Sequence, residues 1–431
     1  MPSQRRPSVF LETHGCKLNQ ADTQSLLAQF MAAGYVLAGG PEAADVYVVN
    51  TCTVTHEADA KARQALRNAR RANANALVVA TGCYAQRDPS LEERIPSINL
   101  VLGNSQKDEL VARVSLALGP ERPACSTADG SLPQAALNPR TRAMVKIQEG
   151  CNHVCSYCIV PKVRGRERSV SPAQIVSQVQ GLVAEGYREV VLTGTQLGSY
   201  GYDLPNTSLE RLIERILEDT SIARLRVSSL QPREITPELV ALWRDPRLCP
   251  HVHIPLQSGS AEVLRRMRRQ YTPEQYRDAV ARVREAVPDV AVTADVIVGF
   301  PGETEDIFAE TYALCEAVGF AGLHVFPYSA RPGTSAARFE GQVEEQAKRR
   351  WMGRLLSLAR AQAASFRDAM AGSVRSVLWE DSRPLGDLRV WSGLTDNYVR
   401  ANAVSQKDLH NQIAPVLLER RNGDVVWGRL A

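Results

Sequence analysis

Apolar positions along the first part of the chain fall into two alternating patterns. Short runs at Ser8–Glu12, Val46–Val49 and Leu77–Ala80 have the length and β-branched content of buried strands. Between them, Leu26, Leu27, Phe30 and Met31 recur at helical spacing. Strands alternating with amphipathic helices predict an open, parallel α/β sheet over residues 1–118. Residues 119–140 are rich in Pro, Ala, Ser and Gly and have no periodicity, which predicts a linker.

A second series follows, with strands predicted at Ala143–Gln148, Glu189–Thr193, Leu225–Leu230, His251–Leu256, Ala291–Val298 and Gly322–Tyr328. Ile175, Val176, Val179, Leu182 and Val183 mark the buried face of one intervening helix, and Leu209, Leu212, Ile213, Ile216 and Leu217 that of another. Ser171-Pro172, Thr236-Pro237 and Thr272-Pro273 each set a capping hydroxyl before a proline suited to the first helical position. Six strand–helix units over residues 141–370 predict a partial (β/α)6 barrel, two units short of the closed eightfold form. A basic helix around Glu344–Met370 ends it. Residues 371–431 then change texture, with short strands predicted at Ser373–Trp379, Leu388–Ser392, Tyr398–Ala401, Ile413–Leu418 and Val425–Leu430. They predict a small all-β barrel, a shape often used for oligonucleotides.

Composition changes this picture little. Hydrophobic residues make up 44% and charged residues 23%, as in ordinary globular chains. The net charge of +4 is slight, so a nucleic-acid partner must be held by local basic patches. With no apolar signal core at the N-terminus and no run long enough for a bilayer, the chain reads as soluble and cytoplasmic, with no membrane partner. Nine cysteines, an odd count in a long chain, fit that compartment better than a disulfide framework.

The cysteines carry the chemistry. Cys151, Cys155 and Cys158 form C-x3-C-x2-C just after the first barrel strand, at the mouth where such barrels hold their active sites. Thiolates are soft ligands, and this spacing lets one loop wrap three irons of a cubane and leave the fourth open. A zinc knuckle is the competing reading; His153 lies too close within the loop to complete it well. Cys16, Cys52 and Cys83 each follow one of the first three strands, so a parallel sheet would bring them to one rim. Gly15 and Gly82 would let the backbone approach a bulky cluster there. Cys125, Cys249 and Cys315 read as structural.

Gly15-Cys16-Lys17-Leu18-Asn19-Gln20, Gly82-Cys83-Tyr84-Ala85-Gln86, Gly150-Cys151-Asn152 with its loop, Pro255-Leu256-Gln257-Ser258-Gly259-Ser260 and Val298-Gly299-Phe300-Pro301-Gly302-Glu303-Thr304 together resemble the radical S-adenosylmethionine methylthiotransferases over almost the whole chain. The resemblance implies a methylthiotransferase domain, a radical barrel and a TRAM-like RNA-binding barrel. It implies two [4Fe-4S] clusters, one on each cysteine trio, and S-adenosyl-L-methionine as methyl donor and radical source. Asn50-Thr51-Cys52-Thr53-Val54-Thr55, followed by Ala58-Asp59-Ala60-Lys61, is similar to the subgroup that acts on threonylcarbamoyl-adenosine in the anticodon stem-loop of tRNA. That activity requires a reducing electron donor and a sulfur source. Tyr157 is expected against the cosubstrate adenine, with barrel-mouth packing as the alternative, and Gly194, Thr195 and Gln257 at the same mouth. The family's usual aromatic after the cluster loop is absent from Pro161-Lys162-Val163-Arg164-Gly165.

Basic runs at Lys61–Arg71, Lys162–Arg168 and Arg265–Arg269 are expected to meet phosphates, and Trp379, Trp391, Tyr398 and Trp427 to stack on bases or fill the last barrel. The rival readings are methylthiolation of isopentenyl-adenosine or of a ribosomal protein, and a non-catalytic iron–sulfur RNA-binding protein.

Overall fold

The computed structural model describes residues 6–119 and 141–431. The linker expected at 119–140, apart from Gly119, and Cys125 within it lie outside the described residues.

The N-terminal part is an all-parallel sheet. Its strands are β1 (Ser8–Thr13), β2 (Val36–Leu37), β3 (Val46–Thr51), β4 (Leu77–Gly82) and β5 (Leu100–Leu102), in the order β2-β1-β3-β4-β5. Val46, Val48 and Val79 pack with Leu26 and Phe30 on one face, while Tyr47, Val49 and Val78 pack with Leu66 and Leu91 on the other. Burial on both faces explains why the central strands read as unbroken apolar runs. Sequence patterning expected three strands; β2 and β5, of two and three residues, complete the edges but are too short to carry a period.

The central part runs through β6 (Arg142–Lys146), β7 (Gln148–Glu149), β8 (Arg168–Ser169), β9 (Glu189–Thr193), β10 (Arg224–Val227), β11 (His251–His253), β12 (Ala291–Val298) and β13 (Gly322–Pro327). Two parallel triplets, β6-β9-β10 and β11-β12-β13, are joined by the bridges Leu225↔Leu248 and Ser229↔His253 into one open barrel. Ser171, Thr236 and Thr272 cap their helices as expected, each accepting the backbone N–H three residues on. The expected strand Ala143–Gln148 breaks at Ile147. Gln148–Glu149 peel away to pair antiparallel with Arg168–Ser169, closing a hairpin round the cysteine loop.

The barrel's open side is covered by the helix Lys17–Ala32 from the first domain. β6 donates its Met144 N–H to Gln24 Oε1 at 3.1 Å, and Lys146 Nζ reaches Asp22 at 2.7 Å. The helix Glu345–Ala369 packs on β13 and leads into β14 (Val374–Leu385), β15 (Leu388–Thr395), β16 (Arg400–Ser405), β17 (Ile413–Asn422) and β18 (Val425–Leu430), a closed barrel ordered β14-β15-β16-β18-β17. Tyr398, expected in a strand, instead sits in the turn before β16 with φ +71°. No helix among the described residues is long and apolar enough to cross a membrane.

Candidate active site

The parallel sheet brings the ends of β1, β3 and β4 to one edge, and with them Cys16, Cys52 and Cys83. Cys16 is the N-cap of the helix Lys17–Ala32, and it is exposed. Cys52 is buried, and burial pushes its thiol up to about 12, with Cys83 and Cys16 close enough to add to the rise. Cys52 therefore needs a cation beside it to be held as a thiolate. Asn104 Nδ2 lies 3.5 Å from Cys83 Sγ and 2.7 Å from Val163 O, bridging the two domains there.

Gly15 and Gly82 have φ of +100° and +94°, a region only glycine enters freely. A Cβ on Gly15 would stand 2.7 Å from Cys52 Cβ, and one on Gly82 2.5 Å from both Asn50 Oδ1 and Thr51 O. Bare backbone is needed here to pack the three loops on one another.

The second trio lies in the hairpin closed by β7 and β8. Cys151 N–H donates to Gly165 O at 3.1 Å, and Cys158 N–H to Cys155 O at 3.1 Å. Ser156 anchors the loop, its N–H on Met267 O at 3.0 Å and its hydroxyl on Arg266 O at 2.8 Å. Burial pushes Cys151 up to about 11 and Cys158 up to about 12. Arg269 Nη1 donates to Cys155 Sγ at 3.4 Å, while its other Nη meets Gln231. The two trios adjoin, because Cys83 packs with Ile159, which directly follows Cys158, and with Val163, five residues after it.

No three Cys, His, Asp or Glu side chains among the described residues surround a single-ion position. Zinc needs such a tetrahedral set. A cubane instead binds each thiolate to a different corner iron, so two separate trios of cysteines fit clusters better than they fit zinc.

Gln148 Oε1 accepts the N–H groups of Thr195 and Gln196, both at 2.9 Å, and pins the turn that begins at Gly194. Thr195 Oγ1 and Glu303 Oε1 are buried without a partner among the described residues, as expected where a polar ligand completes the site. Gln257 takes φ +63° while its backbone bonds Asp295 O and Ile297 N across to β12. Tyr157 joins the apolar cluster of Val263, Met267, Phe300 and Tyr328.

The basic runs divide. Arg70 donates to the carbonyls of Ala74, Ala76 and Ser97, so it braces the sheet and cannot serve a phosphate. Arg164, also expected to face RNA, is buried: it donates to Asp22 at 3.1 Å, to Glu149 at 2.6 Å and to Asn19. Lys107 and Lys146 reach the same Asp22 at 2.6 and 2.7 Å, and these cations hold its carboxyl far below the ordinary range against the cost of burial. Sequence reasoning missed this lock; a charged residue in the Asn19–Asp22 stretch, on a helix read only for its apolar face, was the available signal. Arg265, Arg266, Arg268 and Arg338 line a groove behind the cluster loop. Trp379 and Trp391 are buried in the last barrel, so neither ring is presented to RNA, whereas Tyr398 stays partly exposed and stacks on His251 with centroids 4.6 Å apart.

Residues 8–103 match the uncharacterized protein family UPF0004, and residues 145–315 the Radical SAM superfamily. The chain is 38% identical over 421 residues to the threonylcarbamoyladenosine tRNA methylthiotransferase MtaB of Bacillus subtilis, covering 95% of this chain and 93% of that one. It is 33% identical over 442 residues to a tRNA-2-methylthio-N(6)-dimethylallyladenosine synthase of Clostridium botulinum, covering 97% and 96%. The radical S-adenosylmethionine methyltransferase TsrM from Kitasatospora setae, solved with cobalamin and a [4Fe-4S] cluster, shares the fold: TM-score 0.56, 15% identity, 86% of this chain and 81% of that one.

Proposed function

Because the chain belongs to the radical S-adenosylmethionine tRNA methylthiotransferases, we propose that it converts N6-threonylcarbamoyladenosine at position 37 of tRNA, beside the anticodon, to the 2-methylthio derivative. The observation that supports this reading is the contact of Cys83, from the strand-end trio, with Ile159 and Val163, which lie just beyond the loop of Cys151, Cys155 and Cys158. Threonylcarbamoyl is preferred over dimethylallyl because identity is higher to the MtaB relatives, 38% against 33%.

Cys151, Cys155 and Cys158 would hold one [4Fe-4S] cluster and Cys16, Cys52 and Cys83 the other. When bound, the first cluster and S-adenosylmethionine supply the radical reactivity that an adenine carbon–hydrogen bond requires, and the second supplies sulfur. The protein's part is to bind and orient. Gly194, Thr195 and Gln257 flank the cosubstrate, with Thr195 Oγ1 free to bond it, and Tyr157 closes the apolar side. Arg269 sets a positive charge on Cys155, and Arg164 sets one near Cys83 and Cys16. The groove of Arg265, Arg266, Arg268 and Arg338 takes phosphates of the stem-loop. Turnover needs a reducing electron donor and a sulfur source, and reduced thiols with tRNA substrate imply a cytoplasmic setting.

Deleting the gene and analysing tRNA nucleosides by mass spectrometry tests the proposal. The methylthio form of threonylcarbamoyl-adenosine should vanish and the unthiolated nucleoside accumulate; an unchanged nucleoside profile refutes it.

A further inference from the structure

Beneath the Cys16 loop, the concave face of the open barrel is polar and unusually rich in positive charge. His324 and Phe326 alternate on the inner side of β13, opposite the buried Leu323 and Val325, and they are 66% (side chain) and 42% exposed. The chamber is therefore open. Its floor is Tyr398 from the last barrel, with Arg226 4.9 Å from the ring centroid and Lys17 Nζ 5.8 Å from it.

The carboxylates here are all engaged. Glu189 accepts from Arg226 Nε at 2.9 Å and Nη2 at 3.3 Å. Asp295 lies 3.3 Å from His253 Nε2 and 3.2 Å from His324 Nδ1. Glu380, on the last barrel, is shared by Arg142 at 2.8 Å and Arg400 at 2.6 Å. Lys17 has no hydrogen bond or ion pair among the described residues, although an ammonium in a half-buried site ordinarily finds one. It is also the residue directly after Cys16, so its head group hangs into the chamber from the rim where sulfur would be handed to the base.

The geometry points to Lys17 as the residue that binds the carboxylate of the threonylcarbamoyl group on the target adenosine. The proposal rests on the substrate reading above and adds to it a specificity determinant. That substituent carries one carboxylate and one hydroxyl at the end of its N6 arm. Lys17 meets the first, and His324, whose Nδ1 is taken by Asp295 and whose Nε2 has no partner among the described residues, meets the second. A dimethylallyl group has neither, and it would leave the ammonium unpaired in the closed complex. A site built around a polar partner rejects the substrate that lacks it.

The test uses the full chain with both clusters reconstituted and an anticodon stem-loop carrying threonylcarbamoyl-adenosine or its carboxylate methyl ester. Wild-type protein should bind the acid more tightly than the ester by about 10- to 100-fold, the effect of one charged hydrogen bond. K17M should bind the two alike and K17R should keep most of the preference; K17Q, with a polar head, replaces K17M if that variant loses iron or fold. Equal wild-type affinity for acid and ester, or a K17M or K17Q protein that still prefers the acid, overturns the role of Lys17. Failure of the substrate reading looks different: wild-type protein would then methylthiolate neither tRNA bearing threonylcarbamoyl-adenosine nor its stem-loop.

Discussion

Cys151, Cys155 and Cys158 lie within eight residues of one loop, whereas Cys16, Cys52 and Cys83 come from the ends of three strands spread over 68 residues. The loop trio is closed locally, by the β7–β8 ribbon and the Ser156 anchors, and its environment is set by Arg269 from a neighbouring segment. The distributed trio depends on sheet register and on a charged seam that presses the first domain against the barrel. One is a motif and the other an assembly. The difference teaches that a site made of strand ends inherits the stability of its whole sheet and of the surface the sheet docks to, while a loop site inherits that of its hairpin.

The comparison breaks most sharply at the cysteines. Cys151→Ala should abolish reductive cleavage of S-adenosylmethionine and all methylthiolation, whereas Cys52→Ala should abolish methylthiolation and keep cleavage; chromatography of 5′-deoxyadenosine alongside nucleoside analysis reads both. Loss of cleavage in both variants would mean that the trios do not act separately.

Next in size is the seam. Asp22→Asn leaves Arg164, Lys107 and Lys146 without their shared anion, and removing one partner from a buried pair costs about 3–5 kcal/mol. The variant should unfold at lower temperature and lose iron from the distributed trio first, as followed by iron analysis of wild-type and C151A backgrounds. Because the Asp22 carboxyl is held below its ordinary value, its contribution is present at neutral pH and is lost only in acid, as the pH falls below the usual carboxylate range.

On the loop side, Glu303 behaves oppositely. Burial raises its carboxyl to about 7, against the opposing N–H groups of Gly299 and Phe300. A raised value makes stability greatest below the unfolded value of 4.5 and lost as pH rises through 7, by about 3 kcal/mol. Glu303→Gln should flatten that slope in thermal melts between pH 4.5 and 7.5; an unaltered slope would exclude Glu303 as its source. Smallest is Arg269→Gln, which removes one charged N–H···S contact worth about 1.5–3 kcal/mol. It should make the loop cluster harder to reduce in a potentiometric titration and leave the other cluster's potential in place.

Much of this was legible in the chain itself. The periodicity located Glu189–Thr193, Ala291–Val298 and Val425–Leu430 to the residue, because each is long enough to alternate or to run apolar between clear breaks. The Ser-Pro and Thr-Pro pairs marked helix starts, since an N-cap bond spans only three residues. The C-x3-C-x2-C loop announced its chemistry for the same reason: its ligands are neighbours. The edge strands β2 and β5 carried too few residues to show a pattern.

Side-chain allegiance was a different matter, and only the tertiary structure decided it. Arg70, Arg164 and Arg269 look alike in sequence as members of basic runs, yet one braces carbonyls, one locks two domains and one faces a cysteine sulfur. Tyr398 reads as a strand aromatic and becomes the floor of a chamber whose roof is Lys17, 381 positions earlier. Local sequence determines which backbone hydrogen bonds form, because their partners are close along the chain or set by a repeating period. A charge or a ring is satisfied by whatever distant group folding brings within a few ångströms, and no period in the chain encodes that.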